Sequence, residues 1–219
     1  MGNTMGIKMG LFGPMKTLDS ARHGIDRSDD GRLRAWIDHE PMKGVTPAML
    51  RWWFENIDTF SKWNGNDFDG PEVPVYRFWH PYDHIAANWR KRVLDAQGRT
   101  GVGSVIEIQE NIGGRFEVRD CARVTRFDDE QFNFELLGGG FLPAATVDHI
   151  YAPVEGGCSF YTSVTVGNDW PLLGGLVARL AEKMLVSEEM LRAWILHNVE
   201  ESGETEKFVP RLYAHAQGD

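Results

Sequence analysis

Two motifs far apart in this chain carry residue types that do chemistry. Tyr76-Arg77-Phe78-Trp79-His80-Pro81-Tyr82-Asp83-His84 lies in the first half, and His197-Asn198-Val199-Glu200-Glu201 lies near the end. In the second motif His197 and Glu201 are four residues apart in a helical pattern, so both side chains leave one helix face. Val186, Met190 and Trp194 share that face, which turns it towards the core. A histidine and a carboxylate on a buried face need a partner, because an unpaired buried charge is costly. A divalent metal ion satisfies both, and a histidine of the first motif can complete its shell.

The bland readings stand beside this one. A lone histidine on an apolar helix face is more often a hydrogen-bonded core residue than a ligand. His and Glu at this spacing also occur as plain surface pairs. Glu200 competes with Glu201, and helix geometry alone does not choose between them. Val75 to His80 alternates as a strand with Tyr76, Phe78 and His80 on one face, which favours His80 over His84 as the ligand. His84 then reads as a helix-start residue outside the metal's immediate shell. Glu110 falls on the more apolar face of a strand, with Ser104, Ile106 and Ile108, where a carboxylate also needs a partner. Two imidazoles and two carboxylates suit zinc, and iron or manganese less well, with a position left open for water or substrate.

The elements that position these residues follow from pattern. Residues 1–40 are polar and read as an irregular arm, ahead of one domain over 41–219. Thr46 as N-cap and Pro47 at the first helical position start a helix through Phe54. Residues 61–74, with several Gly, Asp, Asn and Pro, read as a loop, and Asp83 to Leu94 as a helix. Strands are expected over 102–110, 114–127, 131–137, 144–154 and 158–167, separated by Gly113-Gly114, Asp128-Asp129, Gly138-Gly139-Gly140 and Gly156-Gly157. Short connections favour an antiparallel meander. In the fourth of these strands Val147, His149 and Tyr151 share a face. A long helix is expected from about Leu173 to Ser202, closed by Gly203 as a C-cap residue. One antiparallel sheet followed by one long helix is an α+β architecture, with the sheet curling around the helix.

Composition narrows the function classes. A chain of 219 residues with 42% hydrophobic residues can bury a sizeable core. Its net charge of −9 argues against a nucleic-acid partner, which needs basic surface to neutralise phosphates. Arg90-Lys91-Arg92 is short enough to be a solvated helix face. Cys121 and Cys158 give no disulfide framework and no metal-ligand spacing, and read as strand packing. The first residues lack the apolar run of a signal peptide, and no stretch reaches the length of a membrane span. The cytoplasm is the expected location.

The order and spacing of several motifs carry a resemblance. Gly44-Val45-Thr46-Pro47, then Met49-Leu50, Trp52-Trp53-Phe54, Trp79-His80-Pro81, Asp83-His84, Ile112-Gly113-Gly114 and the pair His197 and Glu201 together resemble the diacetylphloroglucinol hydrolase and phloretin hydrolase family. The similarity covers about residues 41 to 203. It implies a helix-grip fold, related to plant pathogenesis-related (Bet v 1-like) ligand-binding proteins and START-like proteins. It also implies one zinc ion, held by a His, a Glu from the sheet and the His and Glu of the last helix: here His80, Glu110, His197 and Glu201. The family's amide or carboxylate three residues after the first histidine falls on Asp83, and a further histidine falls on His149. The family's upstream tyrosine does not match, because Glu72 stands at its spacing, eight residues before His80. Tyr76 faces the right way to replace it. The chain is also shorter than the family pattern, mostly before the first motif and between Glu110 and His149.

The implied activity is hydrolysis of the carbon–carbon bond joining an acyl group to a polyhydroxylated aromatic ring. Such a bond breaks when the ring departs as a stabilised carbanion, which a keto tautomer of a phloroglucinol-type ring allows. Asp83, His149 and Tyr76 are the residues expected to position ring hydroxyls and move protons. No Gly-x-Ser-x-Gly signature offers a serine nucleophile. The expected partner is a small aromatic polyketide or acyl polyphenol, with no nucleic acid and no membrane, and with a homodimer left open. Two rivals remain: a metal-free helix-grip binder of apolar or aromatic molecules, and a non-haem iron oxygenase using two His and one carboxylate.

Overall fold

The computed structural model describes residues 7–29, 32–138, 142–167 and 187–218. A short hairpin, β1 (Met9–Gly10) and β2 (Gly13–Pro14), precedes β3 (Ala21–Arg27), β4 (Leu33–His39) and β5 (Met42–Lys43). Helix α1 (Pro47–Glu55) starts as its sequence dictates: the Thr46 hydroxyl accepts the Met49 N–H at 3.2 Å, and Pro47 occupies the first turn. Then come β6 (Phe60–Lys62), β7 (Glu72–Pro74), the single-turn α2 (Tyr76–Trp79) and β8 (His84–Lys91). A meander follows: β9 (Val105–Ile112), β10 (Phe116–Phe127), β11 (Gln131–Gly138), β12 (Leu142–Val154) and β13 (Gly157–Val166). Helix α3 (Glu188–Gln217) closes the chain.

The large sheet is antiparallel throughout, in the order β3-β4-β13-β12-β11-β10-β9-β8, with β5 alongside β13. Leu191, Ile195 and Val199 of α3 pack on Ala35, Ile37, Ala145, Val147 and Val164 of the sheet. Burying each large aliphatic side chain contributes roughly 1.5–3 kcal/mol. Further along α3, Phe208, Val209 and Leu212 join Leu50, Trp53 and Phe54 of α1. A curved antiparallel sheet gripping one long C-terminal helix is the helix-grip architecture expected from the sequence, and the five meander strands lie within three residues of their expected ends.

Four expectations are corrected. Residues 21–39 are not an irregular arm: β3 and β4 extend the sheet, β4 pairing with β13 through Ala35↔Val164 and Ile37↔Thr162. The stretch 75–80 is not a strand; Val75 takes the αR conformation and α2 makes one helical turn. Asp83 to Leu94 is not a helix but mostly edge strand β8, in register with β9 through Ala87↔Ile108. The helix formers Ala86, Ala87, Arg90 and Lys91 yield there to ladder pairing, and their charges sit on an exposed edge as protection against further pairing. Gly203 is no cap: it lies inside α3, where a Cβ would come 2.6 Å from Lys16 Cγ. The glycine admits the N-terminal segment against the helix, and Gly218, at φ 83°, caps α3 instead. The expected start of this helix near Leu173 lies outside the described residues. Within 61–74, β6 and β7 pair as a small hairpin around the loop.

Candidate functional site

The end of α2 and the start of β8 turn tightly, with the His84 N–H donating to the His80 carbonyl at 3.1 Å. That turn brings both histidines of the first motif to α3, but it sends them to different partners. His84 opens β8 directly opposite Glu110 of β9. Its Nε2 lies 3.1 Å from Glu201 Oε2 and 3.8 Å from Glu110 Oε1. His197 Nε2 lies 3.5 Å from the same Glu201 oxygen. His84, Glu110, His197 and Glu201 therefore converge, all of them buried. His80 stands outside this group.

The hydrogen bonds explain the division. His84 Nδ1 donates to the Tyr76 carbonyl at 2.9 Å, which leaves Nε2 as a lone pair aimed at carboxylate oxygens. His197 Nδ1 donates to Asp83 Oδ2 at 3.0 Å, which turns its Nε2 towards Glu201 Oε2. Asp83 Oδ2 also accepts the Gly113 N–H at 2.8 Å, and the Asp83 carbonyl accepts the Asn111 N–H at 2.8 Å. The Ile112-Gly113-Gly114 turn, with Gly113 at φ 61°, thus serves to hold Asp83. A carboxylate on the far nitrogen of a metal-binding imidazole fixes its tautomer and raises its basicity.

His80, by contrast, is fully used. Its Nδ1 accepts the Asp83 N–H at 3.0 Å and its Nε2 faces Glu200 Oε2 at 3.1 Å. Lys8 reaches the same Glu200 oxygen at 2.8 Å. His80 and Glu200 are therefore partners of each other, and His80, expected as a ligand beside Glu110, His197 and Glu201, instead shares a separate set of metal-ligand spacing with Asp83 and His197. The parity argument failed because 76–79 is a helical turn. Tyr76 stands eight residues before His84. Asp83 orients His197.

Tyr76 lies over His84 with ring centroids 3.8 Å apart and planes within 8°, and its hydroxyl donates to Glu110 Oε1. Burial, then Glu110, push the phenol well above its ordinary value. Burial pushes His84 down to about 3. For His197 burial acts downward too, but Glu201 and Asp83 outweigh it and hold the imidazolium up to about 9. Burial, aided by Glu110 against the opposing pull of His197, raises Glu201 to about 8. Asp83 is held below the usual carboxylate range, because the bonds from His197 and Gly113 outweigh its burial. Without a cation, the group thus keeps its oxygens and nitrogens together with protons on His197 and Glu201 at neutral pH. A divalent ion would replace those two protons at equal charge, and the two Nε2 atoms and two carboxylates are donors that it accepts.

Tyr76, Glu110, His197 and Glu201 border a cavity of about 140 Å³ lined by Ile106, Ile108, Phe132, Phe134, Val147 and Trp194, with His149 and Asn198 as further polar members. A cavity of roughly 150 Å³ with apolar walls holds a benzene-sized molecule. His149 sits among the rings of Phe54, Phe132, Phe134 and Phe160. Its Nδ1 donates to the Phe132 carbonyl at 3.1 Å, and burial lowers it to about 4, so the ring is neutral with Nε2 as its acceptor. Cys121 and Cys158 lie in β10 and β13, and burial pushes the Cys158 thiol up to about 11, as befits packing residues.

Fold and site together define a helix-grip protein with an apolar cavity and a histidine–carboxylate patch beside it. No family model matches the chain, and no curated protein matches it. Solved structures of similar outline include protein Ms6760 from Mycobacterium smegmatis, at 11% identity and TM-score 0.48, covering 90% of this chain and 99% of that one. A START superfamily protein from the same organism has 14% identity and TM-score 0.43 over 78% and 99% of the two chains. Ara h 8.0201 has 16% identity and TM-score 0.38 over 76% and 97%. Likeness at this level says nothing of chemistry. Among the described residues no helix is long and apolar enough to cross a membrane.

Proposed function

We propose that this protein is a metal-dependent hydrolase of acyl-substituted polyhydroxylated aromatic rings, with zinc held by His84, Glu110, His197 and Glu201. The observation that carries the reading is the meeting of the Nε2 atoms of His84 and His197 with the oxygens of two buried glutamates beside an aromatic-lined cavity. The motif resemblance supplies the substrate class: an acylphloroglucinol or a phloretin-like molecule. Water and the acyl arene give a carboxylic acid and the deacylated ring. When bound, zinc supplies Lewis acidity and brings the pKa of a water molecule towards 7.

The chain's own residues do the rest. Aromatic walls exclude solvent and hold a flat ring. His149, neutral and with Nε2 unprotonated, accepts a phenolic proton and favours the keto tautomer from which the ring carbon departs. Tyr76 is a neutral phenol at working pH, and it holds Glu110 in place through its hydroxyl. Asp83 keeps the His197 tautomer that presents Nε2.

A second reading is favoured by the lining of the cavity, whose walls are mostly apolar: metal-free binding of small aromatic molecules, with protons on His197 and Glu201 in place of the ion. One experiment separates the two. Protein purified without chelator is assayed for metal, then incubated with acylphloroglucinols, a phloretin-like dihydrochalcone and simple aryl esters. Stoichiometric zinc with release of the deacylated ring supports the hydrolase. Cleavage of esters only, or tight aromatic binding without metal or turnover, rejects it for the binder or for another hydrolase.

A further inference from the structure

Glu201 has two oxygens, and they meet different surroundings. Oε2 faces His84 and His197. Oε1 accepts a hydrogen bond from Asn198 Nδ2, three residues earlier on the same helix. The Asn198 carbonyl oxygen is occupied in turn: the Thr162 hydroxyl of β13 donates to it at 2.8 Å. His39 of β4 closes the chain, its Nε2 lying 2.8 Å from Thr162 Oγ1 and 3.2 Å from Asn198 Oδ1. All three residues are buried, Thr162 completely.

The directions of these bonds follow from the orientation of the Asn198 amide. Thr162 has one hydroxyl proton and gives it to Asn198 Oδ1, so His39 Nε2–H is the donor to Thr162. With its oxygen engaged from the sheet side, the Asn198 amide can only turn its NH2 towards Glu201. Every donor in the series His39, Thr162, Asn198 thus points along the chain to the carboxylate. Reversal of the amide would set its oxygen against Oε1 of an ionised, metal-bound Glu201, two acceptors face to face in a place where an unsatisfied polar group is costly.

We infer that Asn198 is a positioning residue: locked by Thr162 and His39, it holds Glu201 Oε1 so that Glu201 offers a single oxygen, Oε2, to a metal ion. The inference rests on the proposed metal centre and adds to it the reason one carboxylate does not swing or bind through both oxygens. A single-oxygen Glu201 keeps a coordination position free for water or substrate. Outer partners of this kind typically contribute 10–100-fold to metal affinity.

The test separates the hydroxyl from mere packing. Zinc affinity is measured by competition with a chromophoric chelator for the wild type, Thr162→Val, Thr162→Ser, Asn198→Ala and Thr205→Val. Thr205 is a buried control: its hydroxyl accepts from Trp79 Nε1 at 2.8 Å and donates to the Glu201 backbone carbonyl at 3.5 Å, so it packs beside Glu201 with no bond to the carboxylate. Thr162→Val should weaken zinc by about 10–100-fold, Thr162→Ser should stay near the wild type, and Thr205→Val should leave affinity unchanged. If Thr162→Val does not fold, Asn198→Ala carries the test, with a drop of the same size expected. Unchanged affinity in Thr162→Val and Asn198→Ala, or an equal loss in Thr162→Ser, overturns the positioning role while the metal centre stands. A wild type that binds no zinc removes the metal centre itself, and this inference with it.

Discussion

Two buried polar clusters share His197 and are completed in opposite ways. On its Nδ1 side, Asp83, His80, Glu200 and Lys8 form a series in which each donor meets an acceptor. On its Nε2 side, His84, Glu110 and Glu201 bring acceptor against acceptor, and only protons reconcile them. Both clusters have histidines and carboxylates within hydrogen-bonding range, and both satisfy the spacing of a metal trio. Proximity therefore does not identify a metal centre. What distinguishes the second cluster is lone pairs without donors, and the first cluster serves to orient it.

The largest expected effect separates the two histidines. His84→Ala should lose zinc by more than the roughly 10–100-fold of an outer-partner change, whereas His80→Ala should keep stoichiometric zinc, both read by elemental analysis after gel filtration. Loss of zinc in His80→Ala with retention in His84→Ala would exchange the roles of the two clusters. Next, His149→Ala should keep zinc and lower kcat by about 100-fold or more, the scale of a lost proton-transfer group; steady-state kinetics on the cleaved acyl arene reads this. Asp83→Asn should weaken zinc by about 10–100-fold, since an amide no longer fixes the His197 tautomer as a carboxylate does. Competition with a chelator measures it, and unchanged affinity would deny the first cluster its orienting task.

The pH dependence of stability sharpens the contrast. His197 and Glu201 have folded-state pKa values above their ordinary ones, about 9 and about 8, so in metal-free protein each stabilises the fold while protonated. That contribution is lost as pH rises through these values. The buried neutral histidines His39, His84 and His149 act oppositely, their folded values being lowered, and their effect is complete above about pH 6.5. The melting temperature of metal-free protein should thus fall between pH 7 and 9, and zinc should suppress the fall. The smallest effect belongs to Lys8→Met. Glu200 keeps His80, so stability should drop by about 1 kcal/mol or less in denaturant titration, with zinc affinity unchanged.

Local pattern made much of this legible in sequence. The β9–β13 meander is marked by alternation and by glycine or aspartate turns, and the faces carrying Glu110 and His149 come with it. His197 and Glu201 follow from helix spacing alone. The choice between His80 and His84 was not legible from parity, because Val75 to Trp79 alternates in hydrophobicity yet coils into one turn, and β8 is written in helix-forming residues. Gly203 looks like a helix stop until Lys16 is seen against it. The Asn198–Thr162–His39 series joins α3 to two strands, and no local signal in the sequence announces a contact of that range.

The central claim is where the metal sits, and an anomalous-difference map collected at the zinc edge tests it most directly. The account predicts one peak per chain, bonded by His84 Nε2, His197 Nε2, Glu110 and Glu201 Oε2, with His80 still bonded to Glu200. A zinc-loaded crystal with no peak there, or with its peak on His80 and Asp83, would contradict it.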